Sequence, residues 1–106
     1  MHIGIVGGLD RAEPLLTRIA RDAGHSVEFH TGHTHTRGTA QLDALVERAE
    51  LVVVLTDINS HGGVQLTRRL AARRGRPLVI LRRLGAARFA ELCAGAALEA
   101  GAARPT

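Results

Sequence analysis

Residues 51–55, LVVVL, followed by Thr56 and Asp57, decide the fold. Five consecutive apolar residues with a β-branched centre leave no polar face, the mark of a strand covered on both sides. Such strands belong to parallel sheets with helices packed above and below. Working outward, Ile3 to Val6 forms another short apolar run and stops at Gly7-Gly8, a strand and its turn. Leu15, Leu16, Ile19, Ala20 and Ala23 then recur at helical spacing, with Gly24 as the stop. Val27 to His30 is a strand that leads into the polar loop Thr31 to Thr39, and Leu42, Leu45, Val46 and Ala49 mark a second amphipathic helix. Beyond the central run, Asn59 or Ser60 caps a third helix carried by Val64, Leu66 and Leu70 and closed at Gly75. Pro77 to Leu81 is a fourth strand, and Ala86 to Leu98 a last helix with Phe89, Leu92, Cys93 and Ala96 inward.

Four strand–helix units predict one Rossmann-like, three-layer α/β domain over residues 1–100, with 101–106 as a frayed tail. The expected sheet is parallel, four-stranded and ordered 2-1-3-4, with helices on both faces. A length of 106 residues suits a single domain, and 45% hydrophobic with 23% charged residues supports an ordinary core. No apolar run nears the roughly 18 to 20 residues of a membrane span. The opening MHIGIVGG has no basic leader, so a cytoplasmic address is expected. Cys93 is alone, which excludes an internal disulfide and a cysteine-based zinc site. All 14 basic residues are arginine, which removes every mechanism that needs a lysine, including P-loops and receiver domains.

In doubly wound sheets, ligands bind beyond the carboxyl ends of the strands, where strand order reverses. The loops expected there carry Gly7-Gly8, then His30, His33, His35 and Arg37, then Asp57, Asn59, His61 and Gly62-Gly63, then Arg82 and Arg83. Four of the six histidines thus gather on one rim. His33 and His35 point the same way if their loop is extended. Strands two and three flank strand one, roughly 9 to 10 Å apart, so imidazoles from both sides can reach one centre. Neutral imidazole suits zinc, nickel, copper and iron, and the lack of a cysteine partner disfavours a closed structural zinc site. Haem b is the variant in which a histidine holds the iron and Arg37, Arg82 and Arg83 meet the propionates. Against this stands the plain alternative of a solvated polar loop.

Other patterns are weaker. Gly4-Ile5-Val6-Gly7-Gly8 resembles a dinucleotide turn, but Arg11 and Ala12 stand where its last glycine would fall. Asp57 after LVVVL resembles a receiver phosphoacceptor, yet the acidic pair, the fifth strand and the lysine are missing. Asp57 is better read as capping a turn or orienting a histidine. Cys93 reads as core. Arg68, Arg69, Arg73, Arg74 and Arg76 read as a solvated helix face; with few aromatics to stack, nucleic acid is not an expected partner.

IGIVGG, HTG, LVVVLTDINSH and RPLVILRRLGAARFAEL, in that order, resemble the small bacterial family known as domain of unknown function 2325. The likeness runs from about His2 to Leu98, and its most specific element is T-D-x-x-x-H, here Thr56, Asp57 and His61. The resemblance implies a compact Rossmann-like domain and ties relatives to haem and dioxygen. On it, His61 and the HTG histidine, His30, are the positions carried over. His33 and His35 lie where relatives more often carry basic residues.

The expectation from sequence is a non-catalytic, homodimeric binding protein whose metal ligands are His61 with His30, His33 or His35. It would carry or sense dioxygen, another diatomic gas or a redox state through haem or a metal such as zinc, nickel or iron. The alternative is an anion or nucleotide-phosphate module built on Gly7-Gly8, Gly62-Gly63 and helix N-termini, with Arg37, Arg82 and Arg83 beside it. A third option is a hydrolase in which a histidine-bound metal activates water, for which no residue stands out as the general base.

Overall fold

The computed structural model describes residues 1–8, 12–32, 38–57, 59 and 61–101, with side chains through residue 95. Eight elements alternate along the chain: β1 (His2–Val6), α1 (Glu13–Asp22), β2 (Ser26–His30), α2 (Gly38–Arg48), β3 (Leu51–Leu55), α3 (His61–Arg74), β4 (Leu78–Leu81) and α4 (Ala86–Gly101). The four strands form one parallel sheet in the order β2-β1-β3-β4. The strand expected from Val27 begins one residue earlier, and α2 starts at Gly38, inside the stretch expected to be loop. Of the expected tail, residues 102–106 lie outside the described residues.

Side-chain alternation splits the core into two layers. Ile3, Ile5, Val53 and Leu55 face α1 and α4, where Leu16, Ala20, Phe89 and Cys93 close the layer. Val6, Val52 and Val54 face α2 and α3, against Leu42, Leu45, Val46, Leu70 and Ala71. Each fully buried aliphatic or Phe side chain contributes about 1.5–3 kcal/mol relative to exposure, so two full layers are what stabilise so short a sheet. Gly4 sits on the second layer because helix and strand nearly touch there: an added Cβ would lie 2.4 Å from Leu45 Cδ2. Cys93 is buried as expected, and burial pushes its thiol pKa up.

Two helical faces differ from the periodicity reading. Leu15 is largely exposed, since Leu16 and Ala20 define the inner stripe of α1. In α3 Thr67 is buried together with Gly63, Leu70 and Ala71; its hydroxyl donates to the Gly63 carbonyl at 2.6 Å, which lets a polar residue sit where Leu66 was expected. No helix among the described residues is long and apolar enough to cross a membrane.

Candidate functional site at the carboxyl edge of the sheet

Parallel strands all end on one side, so the described parts of every strand–helix loop meet on that rim. Asn59 is the residue that joins them. Its Nδ2 donates to the carbonyl of Val6, the last residue of β1, at 3.2 Å, and to that of Leu55, the last of β3, at 3.0 Å. Its Oδ1 is buried without a hydrogen-bond partner and presses on Gly32, where an added Cβ would come within 2.0 Å. Asn59 therefore ties strand ends rather than capping α3, and Ser60, the other expected cap, lies outside the described residues.

His30 continues the brace. The Gly32 N–H donates to its Nδ1 at 2.9 Å, and its Nε2 donates to the carbonyl of Gly38, the first residue of α2, at 3.1 Å. This pattern requires the neutral tautomer with hydrogen on Nε2 and consumes the one lone pair of the ring. His30 would have to release Gly32 before it could coordinate a metal. His61 opens α3 and is exposed. His33, His35 and Arg37 lie outside the described residues. Among the described residues no three His, Cys, Asp or Glu side chains gather into a group that could hold a metal ion.

The glycine turns divide in role. Gly7, at φ +150°, spends its N–H on the His30 carbonyl at 2.7 Å, and Leu55 packs where a Cβ would stand, 2.8 Å away. It is a packing glycine, and its amide is unavailable to a ligand, whereas Gly8 beside it is only partly buried. Gly62 is exposed, with nothing within 4 Å of an added Cβ. The helix starts differ as well. In α1 the first turn holds Glu13 and Pro14, an acid on the positive end of the dipole and a residue without an N–H. The first turn of α3 is His61-Gly62-Gly63-Val64, with no acid, and that of α2 also has none.

Arg82 and Arg83 reach the same rim because the β3–β4 ladder continues past the strands: the Asp57 N–H donates to the Arg82 carbonyl at 3.0 Å. Asp57 pairs with both guanidiniums, Arg83 Nε at 3.0 Å and Arg82 Nε at 3.5 Å. The Arg83 hydrogen bond, then the charge of Arg82, holds the Asp57 carboxyl below its ordinary range. Among the described residues the partners of the Asp57 side chain are these two arginines, and the expected turn cap would fall on residues 58–60, of which 58 and 60 lie outside the described residues. Two cations on one carboxylate leave a net positive charge, and both arginine side chains are 81% exposed.

A second polar group lies on β2. His2 engages Ser26 Oγ through Nδ1 at 2.7 Å and Glu28 Oε1 through Nε2 at 2.9 Å, while Arg48 grips both Glu28 oxygens. The Arg48 bonds, with help from His2, lower the Glu28 pKa. A cavity of about 360 Å³ between β2 and α2 is walled by Glu28, His30, Gln41, Leu45 and Arg48. Its carboxylate and guanidinium already satisfy each other. The signal in sequence was the alternation Ser26, Glu28, His30 against Val27, Phe29, which marks a strand with one polar face.

No curated protein matches the chain. A family model described as an uncharacterized protein conserved in bacteria, DUF2325, matches residues 2–95, nearly the whole described fold. The chain belongs to the DUF2325 family.

Proposed function

We propose that this domain is an anion-binding module that takes a phosphate group, free or on a nucleotide, at the N-terminus of α3. One observation carries the reading: the acid-free first turn His61-Gly62-Gly63 starts at the end of the same loop that holds the exposed Arg82–Arg83 pair on Asp57. Helix amides and dipole favour an anion there, and guanidiniums supply charge and hydrogen bonds. Unlike the first turn of a dinucleotide fold, the α1 start holds Glu13 and Pro14 and the Gly7 amide is already bonded to the His30 carbonyl, which favours α3 for the phosphate.

Titration with inorganic phosphate and with adenosine monophosphate tests this. Gly62→Asp places a carboxylate in the α3 first turn, where it favours the helix but repels the ligand. The variant should melt no lower than the parent and bind at least tenfold more weakly. Equal binding by the two proteins would overturn the proposal.

Haem or a metal ion remains the competing reading through His61, with residues 33 and 35 as further donors. It has its own readout: an intense Soret band on addition of haem, lost in His61→Ala, would replace the phosphate proposal.

A further inference from the structure

From Ile58 to Ala90 the chain carries eight arginines and no acidic residue; all ten Asp and Glu lie outside this stretch. Four of these pair with acids outside the stretch (Arg74 with Asp43, Arg82 and Arg83 with Asp57, Arg88 with Glu91), and the stretch runs from α3 to β4 at the edge of the sheet. There the layer of helices is incomplete. On one face Val79 and Leu81 of β4 pack into the α1–α4 layer. On the other, Leu78 and Ile80 align with Val52 and Val54; α3 packs mainly over β3 and β1, so among the described residues Leu78 is only partly covered by the α2–α3 layer and Ile80 is left open. Ile80 is 46% exposed as a result.

The wall of this open groove follows from chirality. A right-handed β3–α3–β4 crossover turns toward β4 the flank of α3 that holds Val64, Arg68 and Ala71, spaced i, i+4 and i+7. Val64 is partly buried and Ala71 buried, while Arg68 is exposed and makes no ion pair among the described residues. The groove therefore has an aliphatic floor (Leu78, Ile80), an aliphatic wall and a cationic rim.

We propose that this groove docks an acidic amphipathic helix of a partner polypeptide, lying beside α3 as the missing third helix of that layer. Its apolar stripe would cover Leu78, Ile80 and Val64, and its carboxylates would meet Arg68. A second copy fits poorly. Two-fold pairing at β4 opposes the Arg76, Arg82 and Arg83 of each copy, and the chain's own helices mix signs, as Glu13 and Asp22 with Arg18 and Arg21 in α1. Nucleic acid fits poorly too, because an aliphatic floor offers no stacking and both phenylalanines pack in the core. The proposal is independent of the phosphate site, which sits at the end of α3 rather than on its flank.

The probe is a fluorescein-labelled, 18-residue Leu/Glu peptide patterned as an amphipathic helix, read by anisotropy on the full chain. Controls are a scrambled peptide of equal charge and a duplex DNA oligonucleotide. Ile80→Glu and Arg68→Glu should each weaken peptide binding at least tenfold, with melting temperatures within a few degrees of the parent because both side chains are exposed. Phosphate binding should be unchanged in Ile80→Glu. Absent binding, equal binding of the scrambled peptide, tighter binding of DNA, or a dimer in size-exclusion chromatography that Ile80→Glu dissociates would each overturn the proposal.

Discussion

Gly32→Ala tests the brace that shapes the rim. Gly32 holds φ at +93°, a conformation that costs an L-residue about 1–2 kcal/mol. An alanine Cβ would also stand 2.0 Å from Asn59 Oδ1, far inside contact distance, so the Asn59 side chain must withdraw. Withdrawal gives up its bonds to the Val6 and Leu55 carbonyls, each worth about 1 kcal/mol net. The combined loss is about 3 kcal/mol, which for a domain of this size lowers the melting temperature by on the order of 15 °C. Urea unfolding of Gly32→Ala, Asn59→Ala and the double variant separates the contributions. Once Asn59 is alanine there is no amide to displace, so adding Gly32→Ala should cost only the backbone part, about 1–2 kcal/mol. Additivity of the single changes within about 0.5 kcal/mol would refute the claimed contact.

Acid stability should depend on Glu28. Arg48 and His2 depress its folded pKa, so its stabilising contribution is present above the ordinary carboxylate range and is lost as pH falls through the depressed value. Stability measured against pH should show a shallower acid limb in Glu28→Gln, and an unchanged limb would contradict that network. Thr67→Val should destabilise by about 1 kcal/mol, because a buried hydroxyl bond to the Gly63 carbonyl is removed at nearly constant shape; a more stable variant in urea would count against it. Gly4→Val should cost about 1–3 kcal/mol or more by forcing Leu45 off the sheet, read as a lowered denaturation midpoint.

The fold was legible because it rests on periodicity. LVVVL, short and rich in β-branched residues, reads as a strand covered on both faces, and the spacing of Leu42, Leu45 and Val46 marks the helix α2 that packs on the same sheet. The strand order followed from doubly wound topology and holds. Site roles were less legible, since they depend on which hydrogen bonds a side chain already makes. His30 reads as a ligand in sequence, yet both its ring nitrogens bind backbone across eight residues or fewer. Asn59 reads as a helix cap because Asn precedes a helix start, and only the meeting of the β1 and β3 ends offers it two better acceptors. Asp57 pairs with arginines 25 and 26 residues away, a separation no local pattern encodes. His2 and Arg48 likewise meet Glu28 only through strand register and helix packing.

Backbone amide shifts mapped by NMR during a phosphate titration report directly on whether the α3 N-terminus takes the anion. Saturable shifts are expected, largest at Gly62, Gly63 and the Arg82–Arg83 segment, with α1 little changed. Shifts centred on the Gly7-Gly8 turn and the start of α1, or none at any phosphate concentration up to those at which simple salts act, would contradict an anion site on α3.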